Sequence, residues 1–186
     1  MEYMSPDLDS REERRTTDDH DHDVLAPLYV GIVTVSSSRG PEDDPGGDTA
    51  ASLVEDSGGR VTARSYVSDD YAEIQAAVTQ LASVEHVDCI VTTGGTGMTI
   101  DDVTPTACDA LFDRDIPGFG ELFRTISWEE IGHRAMASRA TAGVVSGTPV
   151  FCLPGSTNAV KTALTELILP EAPHLAGLST RHHNET

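Results

Sequence analysis

The chain has 186 residues, 38% of them hydrophobic and 23% charged, enough for one soluble globular domain with a real core. Acidic residues outnumber basic ones 31 to 12, for a net charge of −19, and a field of that sign argues against electrostatic binding of nucleic acid. No run of about 18 apolar residues is present, which excludes a helical membrane span, and MEYMSPDLDSREERRTTDDHDHD lacks the apolar stretch of a signal peptide, so a cytoplasmic protein is expected.

Residues 1–26 are charged and poor in large apolar groups. They offer too little surface to bury against the entropy of ordering, and a disordered acidic tail is predicted. The HDHD at His20–Asp23 contains metal-ligand types, but a tail without helix or strand cannot hold them in place, and it reads as solvated. The pair His182–His183, in a C-terminal tail set at 173–186, reads the same way.

From Pro27 on, strands alternate with helices. LYVGIVTV (28–35) is a continuous β-rich apolar run, the pattern of a strand buried on both faces. After the loop SSSRGPEDDPGG, Asp48 can cap a helix carrying Ala50, Leu53 and Val54 and closed by Gly58 and Gly59. VTARSYV (61–67) alternates as a strand. Asp69 or Asp70 then caps a helix whose apolar face is Ile74, Ala77, Val78 and Leu81. DCIVTT (88–93) is a buried strand ending directly in Gly94-Gly95-Thr96-Gly97. Thr104-Pro105 opens a helix to about Arg114, since proline is tolerated in a first turn. GFGELFRTISWEEIGHRAMASRA is helical and amphipathic, with a break expected near Ser127. TAGVVSG and TPVFCLPG are strands parted by a Gly-Thr-Pro turn, and a last helix over about 157–168 ends at Pro170. The alternation predicts a three-layer α/β/α sandwich with a mostly parallel sheet over 27–172.

In such a sheet ligands bind at the carboxyl ends of the strands, where VSSSRG, TTGGTG and LPGST all fall. TTGGTG can turn backbone N–H groups toward an anion, yet it is neither a P-loop nor a dinucleotide fingerprint, because no Gly-Lys-Ser/Thr and no G-x-G-x-x-G follows. Gly155 permits close approach, and Ser156, Thr157 or Asn158 can cap the last helix. Asp69, Asp101 and Asp102 lie at or just beyond strand ends. Carboxylates beside a phosphate site are tolerable when a divalent cation stands between them, and magnesium takes one or two carboxylates plus substrate phosphates and water. Taken singly, each aspartate also reads as a helix cap or a solvated loop residue. Glu129 and Glu130 read as a solvated helix face, and His86 and His133 as surface or packing residues. Cys89, Cys108 and Cys152 have no C-x-x-C spacing and predict neither a disulfide framework nor a zinc site.

These motifs, in order, resemble the MoaB/Mog family of molybdenum cofactor biosynthesis, which includes the gephyrin-like G domains. TTGGTG followed by D-V-T-P is the most specific element. It is joined by V-S-S-S-R, G-G-D, V-S-D-D, DIPGFGELFR, SRATAG and LPGST, and GFGELFRTISWEEIG is most similar to the MoaB branch. The resemblance covers about Leu28 to Pro170. It implies molybdopterin binding and, in active members, adenylylation of molybdopterin by ATP with Mg2+ and release of pyrophosphate, before a partner enzyme inserts molybdate or tungstate. A non-catalytic carrier or scaffold in the same pathway is the alternative. By position, the resemblance assigns Asp69 and Asp102 to catalysis and metal binding. It assigns Thr93, Gly94, Gly95, Thr96 and Gly97 to the pterin and phosphate loop, Pro154, Gly155 and Ser156 to a second loop, and Ser36, Ser37 and Arg39 to the ligand's periphery. It implies a homotrimer or homohexamer. Many Mog members carry arginine where this chain has Asp101.

The excess of acid and the single lysine, Lys161, also fit a protein from a salt-rich cell, where screening relieves self-repulsion.

Overall fold

The computed structural model describes residues 2–3 (backbone only), 8–18, 22–38 and 40–180. Strands are β1 Glu2–Tyr3, β2 Arg15–Thr17, β3 Asp23–Leu25, β4 Tyr29–Val35, β5 Arg60–Val67, β6 Cys89–Thr93, β7 Arg114–Asp115, β8 Thr141–Val145 and β9 Thr148–Leu153. Helices are α1 Arg11–Arg14, α2 Pro45–Asp56, α3 Tyr71–Ala82, α4 Thr104–Asp109, α5 Pro117–Ile131, α6 Thr157–Ala163 and α7 Leu169–Ser179.

The main sheet runs β1-β5-β4-β6-β9-β8-β7, and β2 pairs with β3 in a separate hairpin. The four central strands, β5, β4, β6 and β9, are parallel. The edge strands add antiparallel pairs. Period-2 alternation sorts the apolar side chains into two cores. Val30, Ile32, Cys89, Val91, Phe151 and Leu153 face α2, α5, α6 and α7. Val33, Val35, Ile90, Val150 and Cys152 face α3 and α4. This is the expected three-layer sandwich. Each fully buried Val, Ile or Leu adds about 1.5–3 kcal/mol to it.

Several boundaries differ from the sequence reading. Helix α2 is capped by Asp44, which accepts from the Gly47 N–H at 2.8 Å, and Asp48 sits inside the first turn because Pro45 opens the helix. Of the two caps expected for α3, Asp70 is the one that serves, in agreement with that reading. Helix α4 stops at Asp109, and the chain then enters the short strand β7. Helix α5 runs unbroken through Ser127, which is buried, and ends at Gly132, whose φ of 60° leaves the helical region. β8 and β9 form a hairpin turning at Ser146-Gly147, with Thr148 and Pro149 already in the strand. The last helix does not end at Pro170. A five-residue π-helical stretch, Leu164–Ile168, precedes α7, and its wide turn accommodates a proline that has no N–H to give. The boundary expected after 172 therefore falls within α7.

The segment expected to be a disordered tail is ordered over its described part. Ser10 and Glu13 form a capping box at α1. The Arg14 guanidinium is buried, pairs with both oxygens of Asp88 and lies 3.7 Å over the Tyr29 ring. Asp88 also accepts from Arg11 and from the Tyr29 N–H. A buried charge is tolerated when it is fully paired, and a composition count cannot see a partner 74 residues away. Of the HDHD motif, His20 and Asp21 lie outside the described residues, as do His182 and His183.

Candidate functional site

The strand-end loops converge at the carboxyl edge of the parallel sheet. Gly94 follows β6 with φ 110°, and a Cβ there would stand 2.1 Å from the Val35 carbonyl oxygen. Only glycine lets these two backbones meet. Gly95, at φ 63°, lies against the Thr104 side chain, where a Cβ would be 2.3 Å from Oγ1. Gly155 meets the Gly94 Cα from the other side, at 3.3 Å from a would-be Cβ. The loops after β4, β6 and β9 are thus packed backbone to backbone, as their placement on one face predicts.

Two clefts flank this junction. The first, about 410 Å³, lies between the β4 loop and the start of α2 and is lined by Ser36, Asp43, Asp44, Asp69 and Thr93. The second, about 360 Å³, opens toward α5 and is lined by Thr96, Gly97, Asp102, Glu130, Arg134 and Pro154. Gly94, Gly155 and Ser156 belong to both. The sequence-assigned residues from Thr93 to Gly97 and from Pro154 to Ser156 are therefore brought together. Ser37 sits just behind the first cleft, where its N–H donates to Asp69 Oδ2 at 2.8 Å and its Oγ accepts from the Asp69 N–H at 2.9 Å. Arg39 lies outside the described residues. Asp69 and Asp102 line different clefts rather than one.

Asp102 is braced within its loop. Its Oδ2 accepts from the Thr99 N–H at 2.8 Å and the Thr99 hydroxyl at 2.5 Å. Partial burial pushes its pKa up. The Thr99 hydroxyl and N–H, the Gly97 N–H and the nearby Arg139 cation outweigh this and hold the carboxyl below its ordinary range. It is a carboxylate at neutral pH. Asp101, next to it, is exposed.

Sequence reasoning missed three contributors. Asp44 is buried beside the first cleft, held by the Thr34 hydroxyl at 2.6 Å and Arg64 at 3.0 Å. Its signal was the Asp-Pro pair that opens α2. Arg139, from SRATAG, ties the glycine loop to the following turn: Nε donates to the Gly97 carbonyl at 2.9 Å and Nη2 to the Asp102 carbonyl. No local pattern announces this role. Glu130, read as solvated helix face, accepts from Asn158 at 2.6 Å and Thr162 at 2.8 Å and joins α5 to α6 at the second cleft. The three cysteines are free and buried, and burial pushes the Cys89 thiol up, so it is inert.

A glycine junction at the carboxyl edge of a parallel sheet, with carboxylates in the clefts on either side, defines an open-sheet α/β protein whose crevices lie where such folds take their ligands. The comparisons narrow this. The profile of a family described as a probable molybdopterin binding domain matches residues 31–174, and the chain belongs to that family. It is 46% identical to molybdenum cofactor biosynthesis protein B of Bacillus cereus, over 83% of this chain and 94% of that protein. With the protein of the same name from Escherichia coli it shares 41%, over 78% and 85%. A crystal structure of a molybdenum cofactor biosynthesis protein B superposes with a TM-score of 0.81 at 44% identity, covering 84% of this chain and 99% of that one. The tungsten cofactor synthesizing protein MoaB from Pyrococcus furiosus does so with a TM-score of 0.75 at 36% identity, covering 83% and 98%.

Proposed function

We propose that this chain acts in molybdenum cofactor biosynthesis, binding molybdopterin and adenylylating it with ATP. The observation that carries the proposal is the pair of clefts sharing Gly94, Gly155 and Ser156, with Asp69 on one side and Asp102 on the other. Two substrates seated in the two clefts would meet at that shared junction. An oxygen of the molybdopterin phosphate attacks the α-phosphorus of ATP, a new P–O bond forms, and the bond to the β-phosphate breaks as pyrophosphate leaves with the electron pair. The chain's part is positioning: the packed glycines bring backbone close to the reacting phosphates, and Arg139 keeps the loop shaped.

Magnesium fits the donor set. The first cleft is lined by Asp43, Asp44 and Asp69 and by no lysine or arginine among the described residues, so a polyanion there requires an added cation. Asp69 and Asp102 offer the hard oxygen ligands that Mg2+ prefers, and the ion would neutralise charge developing on the phosphates. A membrane plays no part in this reading, and no described helix is long and apolar enough to cross one. The work would be cytoplasmic, with a molybdate-insertion enzyme downstream. Leu122, Trp128, Ile131 and Met136 are exposed along α5 and the turn after it, which supports assembly as a homotrimer or homohexamer.

Pyrophosphate release from ATP and molybdopterin, in Mg2+ and high salt, tests the reading. Asp69→Asn and Asp102→Asn are each expected to lower turnover by about 10²–10³. Undiminished turnover in both would sink the metal assignment. A second reading, a carrier that binds molybdopterin without transferring AMP, is favoured by Asp101, which places an exposed anion where many Mog members have arginine. Tight pterin binding with no adenylylated product decides for it.

A further inference from the structure

The hairpin of β2 and β3 lies directly on α7. A Cβ at Gly177 would stand 2.4 Å from the Asp23 carbonyl oxygen, so strand and helix backbones touch. Arg15 reinforces the contact through the Gly177 carbonyl at 3.2 Å and the Thr180 hydroxyl at 3.0 Å. This packing brings His174, one turn before Gly177, beside Asp18 and His22, which follow β2 and precede β3. The rings of His22 and His174 are 4.8 Å apart between centroids. His22 Nδ1 lies 3.5 Å from Asp18 Oδ2. One donor atom from each of Asp18, His22 and His174 falls within 4.8 Å of the others. Nδ1 of His174 is buried and has no hydrogen-bond partner among the described residues. A buried ring nitrogen left without a partner carries a desolvation cost, and a metal ion is one group that removes it.

We propose that Asp18, His22 and His174 form a binding site for a divalent transition metal, zinc above all, that clips the N-terminal hairpin to the C-terminal helix. Two imidazoles and one carboxylate are the ligands of zinc and its first-row neighbours, whereas magnesium and calcium prefer oxygen alone. Zinc sits about 2.0–2.1 Å from such ligands, which sets tetrahedral neighbours about 3.4 Å apart. The three donor atoms, already within 4.8 Å of one another, therefore need to close by only about 1.4 Å, and Asp18 and His22 are exposed. Water completes the fourth position. His22 of the HDHD motif thus has a partner supplied from α7. None of the three residues lines either cleft at the glycine loops, so the site is distinct from both.

The test uses the full chain stripped of metal with a chelator and titrated with Co2+, read by its visible absorption, and then with Zn2+ in competition. One equivalent is expected to bind with mixed nitrogen and oxygen ligation. Loss of an outer-sphere partner already costs metal sites about 10–100-fold, so His22→Gln, Asp18→Asn and His174→Gln should each weaken binding by at least about 100-fold. His182→Gln/His183→Gln should bind as the parent does. Zinc should raise Tm in the parent and in the His182/His183 variant but not in His22→Gln. Because His174 is packed, His22→Gln and Asp18→Asn keep the test sound if His174→Gln folds poorly. Unchanged affinity in His22→Gln and Asp18→Asn overturns the proposal, as does loss of binding in the His182/His183 variant.

Discussion

Gly95→Ala, taken together with Thr104→Ala, tests the glycine junction most directly. Alanine at φ 63° carries about 1–2 kcal/mol of left-handed strain. Its Cβ would stand 2.3 Å from Thr104 Oγ1, well inside contact distance, and overpacking of that kind costs about 1–3 kcal/mol. The single substitution should therefore destabilise by roughly 3 kcal/mol, a fall in Tm of roughly 6–12 °C for a chain of this size. Among the described residues Thr104 Oγ1 has no hydrogen-bond partner, so Thr104→Ala removes the obstacle without breaking a bond to them. In that background Gly95→Ala should cost only the backbone strain, about 1–2 kcal/mol. Thermal and urea unfolding of the four proteins, followed by circular dichroism in high salt, gives the coupling. Costs that add within about 0.5 kcal/mol would refute the clash and with it the close fit of loop to α4.

Arg139→Gln should loosen the loop at Gly97 and Asp102, raising the Kd for molybdopterin by roughly 10-fold or more while lowering stability by about 1.5–3 kcal/mol, the worth of a charged hydrogen bond; pterin titration and unfolding of the same sample check both. Asp88→Ala leaves Arg14 buried and unpaired and should cost about 3–5 kcal/mol, with faster tryptic cleavage at Arg11, Arg14 and Arg15 as the readout. Replacing dilute buffer by about 1 M KCl, which shortens the Debye length to about 3 Å, should raise Tm if the charge of −19 is a halophilic adaptation; a protein fully structured in dilute buffer that loses structure only above that salt excludes it.

The central sheet was legible because β4, β6 and β9 are written as unbroken apolar runs and β5 as an alternating one. Every residue of LYVGIVTV from Tyr29 to Val35 is buried. The glycine junction was legible because TTGGTG and LPGST each follow such a run. What sequence reasoning lost depends on distance or on competing caps. Asp44 outranked Asp48 because Pro45 accepts the first helical position, where no N–H is needed. Ser127 does not break α5, since a lone serine costs a helix little when its neighbours pack. Arg14 with Asp88, Arg139 with Gly97 and His22 with His174 are meetings of residues 74, 42 and 152 positions apart, and no local pattern encodes them.

The wall formed by Gly94, Gly155 and Ser156 has a thermodynamic consequence. It is a surface of both clefts, and backbone contact between Gly94 and Gly155 keeps either strand end from moving alone. A ligand that displaces the wall in one cleft must alter the affinity of the other. By linkage the effect is reciprocal, the same factor multiplying both dissociation constants. If each cleft takes a ligand, as proposed, the two binding events are one coupled equilibrium, and measuring the affinity of either ligand at saturating and at zero concentration of the other reads the stiffness of three small residues.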